Sequence, residues 1–414
     1  MVQSMGGHIT FKYIVFSITL VLTLVLIAAC GPKKQTPSRE RSSDKERGPH
    51  GTGADADAQS GTTTTEVPNV PFTMLGGSPR HHHRAQVPGP NELPRIAGIF
   101  HTGARVFASP VIGPDGTCYI GSVDGTFNAL KPDGSLRWSF VCDEPIFSTA
   151  AVSQSGVVYV GCDDDTLRAF TTDGILRFTY RTTHDLDSSP VIAEDGTIYF
   201  GGDGLHAVTS GGVRKWKALL NAHANASPAI RSDESIIIAS QDYRVYAFDT
   251  SGTGLWAFGA SAPIYGSPAI LDNDGVAFGT GDGNIIRLTP NGGLKWKQSI
   301  GDSVRSGIAV SAAQTTLFAG SENGSVVSLD AKTGKVLWTL QTGGPVRATP
   351  MLDSEGRLYV GSWDHHLYAI DSELGKVLWR MDLGAQIDST AAVAYGKKLI
   401  VGADNGDVYF LEAR

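Results

Sequence analysis

Residues 345–382, PVRATPMLDSEGRLYVGSWDHHLYAIDSELGKVLWRMD, contain one complete repeating unit of the chain. Four short runs rich in apolar residues, 349–352, 357–361, 366–370 and 376–380, alternate with turn residues such as Gly, Asp and Ser. Runs of this length between turn residues predict antiparallel strands joined by hairpins. The stretch therefore predicts a four-stranded sheet, whose strands are called A to D from the first run to the last.

The unit recurs about every forty residues. A glycine four positions before a large aromatic marks seven units, and that aromatic recurs at intervals of 38 to 42 residues. A small residue at the start of strand A follows each aromatic by 11 residues. A period near 40 with four strands per unit is typical of a β-propeller. The small residues are Ser109, Thr149, Ser189, Ser227, Ser267, Gly307, Thr349 and Thr390, and the aromatic residues are Trp138, Phe178, Trp216, Trp256, Trp296, Trp338 and Trp379.

The first and last units are predicted to complete one blade together. The C-terminal unit has three strand-like runs, and residues 95–100 occupy the register of a fourth strand. Pairing of this segment with the C-terminal unit would remove open sheet edges. An open array of eight units is the alternative. The predicted fold class is all-β: residues 95–414 form an eight-bladed β-propeller of four-stranded antiparallel blades, closed by an N-terminal strand.

The N-terminus has the features of a lipoprotein signal. Residues 13–29 carry no formal charge and end in small residues before Cys30, which is typical of a secretory signal. Residues 27–30, Ile-Ala-Ala-Cys, resemble a bacterial lipobox. This resemblance implies that residues 1–29 are a signal peptide and that Cys30 is lipidated. Gly31 follows the cysteine, where an Asp would indicate retention at the inner membrane in enteric bacteria, so the outer membrane is the predicted location. An uncleaved signal anchor is the alternative, because seventeen residues approach spanning length.

Residues 30–94 are predicted to form a lipidated, disordered tether. They contain few large apolar side chains and several Pro and Gly residues, so they cannot bury enough surface to fold alone. The run of three histidines at 81–83 is interpreted as part of the solvated linker. Weak metal binding by these adjacent histidines is the alternative.

The repeats resemble a known family. The segments 369–379, AIDSELGKVLW, and 328–338, SLDAKTGKVLW, are similar to the tryptophan-docking motif of quinoprotein (PQQ-like) propellers. The resemblance covers residues 95–414, and it implies that the aromatic residue of each unit docks against the adjacent blade. The family includes PQQ-dependent alcohol and glucose dehydrogenases, and also a lipoprotein scaffold of the outer-membrane β-barrel assembly machinery that binds no quinone. A WD40 propeller is the competing assignment, but its Gly-His and Trp-Asp pairing does not recur here.

The sequence predicts neither enzyme activity nor a bound cofactor. Enzymes of the family use PQQ with calcium, and the alcohol dehydrogenases add a pair of adjacent cysteines. No two cysteines are adjacent in this chain, and the even spacing of the units leaves no room for long insertions. Cys118 is predicted to be buried in a B strand, whereas Cys142 and Cys162 lie on connections of one face; the sequence leaves open whether they form a disulfide.

Two polar groupings are interpreted as structural. An aspartate recurs in the turn between strands B and C, as in Asp164, and is expected to accept hydrogen bonds from its own backbone rather than to hold a metal. His184, Asp185, Asp187 and His223 lie on adjacent connections and are interpreted as a solvated rim, with a metal or acid–base role as the alternative. No metal site is predicted.

The candidate functional site is a ring of residues that vary strongly from unit to unit. Each lies two positions before the small residue of strand A, and positions two apart in an extended strand face the same way. They are therefore expected to surround the upper mouth of a central channel. One arc is aromatic and another is charged, a combination enriched at protein interfaces. The members of this mouth ring are Phe107, Phe147, Asp187, Asn225, Tyr265, Arg305, Arg347 and Asp388.

The function predicted from these features is that of a non-catalytic, membrane-anchored interaction scaffold of the cell envelope. A monomeric propeller would dock an envelope protein or an extended peptide at its upper face, and the resemblance implies a role in outer-membrane protein assembly. The net charge of -7, without a basic run in the repeats, argues against nucleic-acid binding. Three alternatives remain: a mouth ring that only pairs with itself through an Arg347–Asp388 bridge, a sensor of ligands or polymers, and a PQQ-dependent oxidoreductase.

Overall fold

The computed structural model describes residues 72–414, which form eight four-stranded antiparallel sheets. The signal peptide, Cys30 and the tether up to residue 71 lie outside the described residues. Each blade begins with a very short innermost strand A and continues with a longer strand B, and both are almost entirely buried. The A strands are Val111–Ile112 (β2), Ala151–Val152 (β6), Val191–Ile192 (β10), Ala229–Ile230 (β14), Ala269–Ile270 (β18), Ala309–Val310 (β22), Met351–Leu352 (β26) and Ala392–Ala394 (β30). The B strands are Cys118–Gly121 (β3), Val157–Cys162 (β7), Ile198–Phe200 (β11), Ile236–Ser240 (β15), Val276–Gly279 (β19), Thr316–Gly320 (β23), Arg357–Gly361 (β27) and Lys398–Gly402 (β31).

Strand C is largely buried, whereas strand D is the outer edge of each blade and alternates between exposed and half-buried residues. This gradient follows from the architecture, because neighbouring blades cover both faces of the inner strands. The C strands are Thr126–Leu130 (β4), Thr166–Thr171 (β8), Leu205–Val208 (β12), Arg244–Phe248 (β16), Asn284–Leu288 (β20), Ser325–Asp330 (β24), His366–Asp371 (β28) and Asp407–Glu412 (β32). The D strands are Leu136–Val141 (β5), Leu176–Arg181 (β9), Arg214–Ala218 (β13), Gly254–Gly259 (β17), Leu294–Ser299 (β21), Val336–Gln341 (β25), Val377–Asp382 (β29) and, in blade 8, Arg95–His101 (β1).

The N-terminal strand β1 completes blade 8. It pairs antiparallel with β32, from Arg95 opposite Glu412 to His101 opposite Asp407. The sheet order of this blade is β1-β32-β31-β30, so the strand next after the tether becomes the outermost strand of the last blade. The eight-bladed fold is confirmed, and strand 95–101 stands where the sequence predicted it.

The recurring glycine and aromatic residue form an interlock between consecutive blades. The ring of Trp138 lies over Gly174 of the next blade, where a Cβ would come within 2.7 Å of the ring, and Gly174 has a positive φ of 84°. The indole N–H of Trp138 donates to the Thr172 carbonyl, at 2.8 Å, in the turn before that blade's strand D. Glycine is required at this position because of both the contact and the backbone conformation. The same arrangement recurs at Trp216, Trp256, Trp296 and Trp338.

The small residues of strand A form a nearly closed ring of hydrogen bonds around the axis. The backbone N–H of Ser109 donates to the Thr149 hydroxyl of the next blade at 3.0 Å, and Thr390 donates back to the Ser109 hydroxyl at 3.1 Å. Gly307 has no hydroxyl, so the ring is interrupted between Ser267 and Gly307. The small residues are thus required because the blades converge at the axis and leave little room for side chains. In seven of the eight blades they also provide the hydroxyl group that accepts the hydrogen bond from the neighbouring blade.

The interpretation of residues 72–94 as solvated linker is wrong. Residues 72–85, named the strap below, run along the lower end of the inner strands and include a short 3₁₀ helix, Leu75–Gly77. His81 and His83 are each only 1% exposed. The apolar content of this segment is low, but its backbone carbonyls accept hydrogen bonds from the inner strands, which composition does not reveal.

Blade 8 has no turn between strands C and D, because its strand D is the N-terminal strand β1. Residues 86–94 lie beside blade 7 in the place of that turn. The Pro90 carbonyl accepts from the Trp379 indole at 3.2 Å and from the Tyr359 hydroxyl at 3.0 Å. The Gly89 carbonyl accepts from Arg357, whose guanidinium also pairs with buried Asp353 at 2.8 Å. Trp379 therefore docks on the N-terminal segment and is only 6% exposed. Within residues 72–414, no helix is long and apolar enough to cross a membrane.

Candidate functional site

The structure places the mouth ring on one rim of the propeller, at the start of each blade. The upper face is defined here as the one that carries the connections from strand D to strand A and the turns from strand B to strand C. Every member of the mouth ring is half-buried or exposed, while the residues on either side of it in sequence are buried. At Phe107, for example, the neighbours Val106 and Ala108 are 0% and 1% exposed. The flanking residues thus hold the backbone rigidly and leave the ring side chain at the rim.

A second set of residues, missed by the sequence reasoning, stands beside the mouth ring. Each precedes the recurring aspartate or asparagine of the turn between strands B and C. The backbone N–H of Glu322 donates to the Ser303 carbonyl at 2.9 Å, and that of Trp363 donates to the Pro345 carbonyl at 2.9 Å. In seven of the eight blades the acceptor lies two residues before a mouth-ring residue, so the two sets share one register; the exception is Gly202, which donates to the Ala224 carbonyl. The members of this turn ring are Val123, Asp163, Gly202, Gln241, Gly281, Glu322, Trp363 and Asp404.

One arc of the rim is built from arginines stacked on aromatic rings. The Arg305 guanidinium lies 4.3 Å from the centre of the Tyr265 ring, and that of Arg347 lies 3.8 Å from the centre of Trp363. Both arginines pair with the same Glu322 carboxylate, at 2.8 and 2.7 Å. Two cations therefore share the Glu322 carboxylate, and both guanidinium groups are held in place on aromatic rings.

The Arg347–Asp388 bridge considered above is wrong. Arg347 turns towards Glu322, and Asp388 instead accepts a hydrogen bond from the Trp363 indole at 2.8 Å. Burial raises the pKa of the Asp388 carboxyl, and this effect is opposed by the Trp363 hydrogen bond. The partners Glu322 and Trp363 belong to the turn ring, whose position in the repeat places them beside the mouth ring.

The aromatic arc adjoins this charged arc. Phe107 and Phe147 of neighbouring blades lie with ring centres 5.5 Å apart. The Arg105 guanidinium lies 4.5 Å from the centre of Phe107 and pairs with Asp404 at 2.6 Å. The predicted neighbourhood of aromatic and cationic residues is thus present, with Arg105 as an additional member.

The opposite arc is acidic. Asp187 accepts a hydrogen bond from Asn225, at 2.5 Å, and faces Asp163 of the turn ring. Burial, followed by the charges of Asp187 and Asp185, raises the pKa of Asp163 to about 8. Two carboxyl groups so placed retain a proton near neutral pH, because both cannot ionise cheaply at short distance. The rim therefore has two chemically different sides.

The other predicted groupings are placed as follows. His184 and His223 are in contact, with ring centres 4.2 Å apart, at a cleft of about 350 Å³ that also includes Asp203 and Lys217. Across residues 72–414, no three His, Cys, Asp or Glu side chains are arranged to hold a metal ion.

The recurring turn aspartates bind backbone on both sides. Asp364 accepts from the N–H of His366 at 3.1 Å within its own turn and from that of Gly343 at 2.7 Å in the preceding connection. Asp124 makes the same two contacts, with Thr126 and Gly103. These aspartates fasten the upper connections to the turns and so fix the register of the two rings.

The three cysteines within residues 72–414 are structural. A disulfide joins Cys142, in the connection between blades 1 and 2, to Cys162 at the end of β7. These cysteines are 20 residues apart, unlike the adjacent pair of the alcohol dehydrogenases. Cys118 is free and buried, and burial raises the pKa of its thiol. None of the three lies in a position to act as an exposed thiolate nucleophile.

Comparison with solved structures shows the fold. The structure of BamB from Moraxella catarrhalis aligns with a TM-score of 0.66 at 16% identity, over 77% of this chain and all of that one. A europium-containing methanol dehydrogenase aligns with a TM-score of 0.71 at 13% identity, over 84% of this chain and 98% of that one. The computationally designed Ika8 protein aligns with a TM-score of 0.66 at 15% identity, over 75% and 97% of the two chains. At identities of 13 to 16%, these likenesses establish the fold alone.

Comparison of sequences is more specific. The outer membrane protein assembly factor BamB of Nitrosomonas eutropha is 31% identical over 120 residues, which is 28% of this chain and 29% of that protein. The match thus spans less than a third of that relative's length. The family model described as outer membrane protein assembly factor BamB matches residues 56–204, 182–305 and 281–414, which together cover most of the chain including the whole propeller. The chain therefore belongs to the family of the outer membrane protein assembly factor BamB.

Proposed function

We propose that this protein is a non-catalytic scaffold of the cell envelope that acts in outer-membrane protein assembly and docks a partner at its upper rim. The partner is an envelope protein or an extended peptide. Family membership supports the process. The location of the docking site is inferred from one arc of the rim, where Arg305 and Arg347 stack on aromatic rings and share the carboxylate of Glu322.

The arc has the features of a recognition surface. The Arg305 side chain is 42% exposed and the Tyr265 residue 43%, so both are reachable from solvent. Aromatic and arginine side chains held in fixed positions contribute most of the affinity at many interfaces, because little side-chain entropy is lost on binding. A partner that presents a carboxylate to the two guanidinium groups would supply the anion that Glu322 alone does not.

The test is capture of partners from envelope extracts by the full-length protein. The variant Arg305→Glu plus Arg347→Glu reverses the charge of the arc. A matched control, Arg177→Glu plus Arg214→Glu, makes the same change in total charge on exposed residues of the outer strands β9 and β13. We expect the arc variant to lose its envelope partners and the control to keep them. Equal capture by both variants would overturn the site, and capture of a polysaccharide or small molecule in place of a protein would favour the sensor.

Lipid anchoring is part of the proposal. The lipobox-like residues 27–30 support a signal peptide over residues 1–29 and acylation of Cys30 at the outer membrane. Several acyl chains give stable anchoring where a single chain does not. Cells fed labelled palmitate should label the wild-type protein but not Cys30→Ala, and the variant should leave the membrane fraction. Unchanged membrane association of an unlabelled variant would instead support an uncleaved signal anchor.

An oxidoreductase is the second candidate, favoured only by the structural likeness to methanol dehydrogenase. That likeness, at 13% identity, shows the fold alone. Titration of the purified protein with PQQ and calcium distinguishes the candidates. A scaffold leaves the absorbance of PQQ unchanged, whereas saturable binding with dye-linked alcohol oxidation would establish the dehydrogenase.

A further inference from the structure

The strap, residues 72–85, occupies the lower end of the propeller axis through its backbone. Its carbonyl groups accept hydrogen bonds of 2.7 to 2.9 Å from the second residue of the A strand in six of the eight blades. Because A strands are the innermost edges of their sheets, these N–H groups have no other strand to pair with. The donors are Ile112, Val152, Ile230, Ile270, Val310 and Leu352, and the acceptors are, in the same order, Phe72, Thr73, Pro79, Arg80, His82 and His83.

The fit between the strap and the blades is specific. Gly307 is the one member of the ring of small residues that has no side chain, and it lies directly against the imidazole of His83. A Cβ at this position would lie 3.2 Å from His83 Nε2 and 3.0 Å from the Thr349 hydroxyl. The one interruption of the inner hydroxyl ring is therefore the place where the strap inserts a side chain. This match argues that the strap is a built element of the fold and not a linker that happens to lie there.

The three adjacent histidines of the strap are buried and make few hydrogen bonds. His81 Nδ1 lies 3.2 Å from the Pro268 carbonyl, and His82 Nε2 lies 2.7 Å from the Ile270 carbonyl. Neither ring nitrogen of His83 has a hydrogen-bond partner in the described part of the chain. His81 and His83 also have positive φ values, 54° and 48°, a conformation that costs a non-glycine residue about 1 kcal/mol or more.

The charged groups around these histidines do not compensate a positive imidazole. Arg80, Arg84 and Asp272 are the charged groups that act on His82, whereas the charges that act on His81 and His83 are those of their histidine neighbours. Burial lowers the pKa of His81 to about 4 and lowers that of His82. Burial also holds the pKa of His83 well below its usual range, with its two histidine neighbours adding to the effect.

We infer that the strap is an acid-sensitive latch, which closes the lower end of the propeller at neutral pH and leaves the inner strands when its histidines become protonated. Release would uncover a row of six strand-edge N–H donors, the kind of edge to which an extended peptide can add. The latch thus ties the accessibility of the lower face to the acidity of the compartment. This inference does not depend on the function proposed for the upper rim.

The direction of the pH effect follows from linkage. The docked strap binds fewer protons than the released strap, because its histidines titrate below the ordinary value of about 6.5. Docking is therefore at full strength above pH 6.5 and weakens as the pH falls from there towards 4. Each histidine that is neutral when docked and charged when released lowers the docking constant up to about tenfold per pH unit in this window.

Amide hydrogen exchange of the full-length protein at pH 7.5 and pH 5.0 tests the latch. Exchange rates are divided by the intrinsic rate at each pH to give protection factors. The probes are the strap-bound amides of Ile230, Ile270, Val310 and Leu352. The internal reference is the pair of amides of Thr149 and Ser189, which donate to hydroxyl groups of the next blade in the ring of small residues. We expect protection of the probes to fall at least about tenfold at pH 5.0 relative to the reference.

A variant without strap histidines separates this mechanism from general acid destabilisation. His81→Asn keeps an acceptor near the Nδ1 position, His82→Gln keeps a polar group near the Nε2 position, and His83→Phe retains a flat ring. This triple variant should show the same probe protection at both pH values. The latch is refuted if the wild-type probes and reference change together, or if the triple variant loses probe protection as the wild type does. Should the triple variant fold poorly, the wild-type comparison alone decides.

Discussion

The two ends of the propeller axis are built from different kinds of contact. The upper rim is made of side chains that differ from blade to blade, many of them exposed, and stacked or paired in arcs of opposite character. The lower end is made of backbone hydrogen bonds that repeat from blade to blade and are covered by the strap. Selective binding requires side chains that differ between blades, whereas closure of the lower end by the strap requires only backbone hydrogen bonds that repeat from blade to blade. The fold thus separates recognition from closure along one axis.

The largest effect on stability is expected where the N-terminal segment seals the ring. Trp379→Ala removes a side chain that is 6% exposed and that docks on the Pro90 carbonyl, so we expect a loss of about 3 to 5 kcal/mol in the free energy of unfolding. Trp216→Ala is the matched control, because its indole makes the same kind of bond to Thr250 but is more exposed. Urea unfolding followed by fluorescence measures both, and an equal loss in the two variants would contradict a special role for the N-terminal seal.

A smaller effect is expected at the meeting point of strap and blade. Gly307→Ala places a methyl group against His83 and Thr349, and overpacking of this kind costs about 1 to 3 kcal/mol. Probe amides at the lower end should lose protection at pH 7.5, while the reference amides of Thr149 and Ser189, in distant blades, keep it.

The double variant Gly307→Ala plus His83→Ala sharpens this test. Removal of the imidazole makes room for the methyl group, so the double variant should be less destabilised than the sum of the two single variants. Strict additivity would show that residue 307 does not contact the strap in solution.

The smallest effect is expected on the acidic arc of the rim. Asp163 is held with a pKa of about 8, mainly by burial, so its carboxyl disfavours folding increasingly as the pH rises from about 4 towards 8. Asp163→Asn removes this cost and should stabilise the protein by about 1 kcal/mol at pH 8, a value reduced for solvent screening of a half-exposed group. The gain should fade as the pH falls towards 4. Urea midpoints at pH 4.5 and pH 8 measure the difference, and a gain independent of pH would contradict the assignment.

The repeats explain how much of the fold could be predicted. The glycine and aromatic tag recurs because every docking ring needs a glycine beneath it in the next blade, as Trp138 needs Gly174. The small residue recurs because the inner strands leave little space at the axis. Both requirements are local and identical in each blade, so they are visible in one sequence without any knowledge of tertiary contacts.

The rim could be located from the sequence but its pairing could not. Register places Arg347 and Asp388 in neighbouring blades, and opposite charges there predict a bridge. The structure pairs Arg347 with Glu322, because the turn ring stands closer to the guanidinium than the next member of the mouth ring does. Pairing on a rim of alternating rings depends on side-chain direction, which the repeat does not specify.

The strap could not be predicted because its stabilisation leaves little trace in composition. Backbone carbonyl groups of the strap accept the hydrogen bonds, and every type of residue has such a carbonyl group. The two signals that existed were the three histidines at 81–83, which are unusual in a solvated linker, and the missing hydroxyl at Gly307. Each signal alone is ambiguous. Their contact in the structure shows that the strap inserts the His83 side chain at Gly307.

Site-specific photo-crosslinking in intact envelopes tests most directly the claim that the upper rim is the recognition surface. A photoreactive residue replaces either Tyr265 on the rim or Leu176 on the outer strand of blade 2, each of which is 43% exposed. We predict a defined protein adduct from position 265 that disappears when Arg305 and Arg347 are changed to Glu, and no such adduct from position 176. An adduct from position 176 alone, or one from position 265 that survives the charge reversal, would contradict the account.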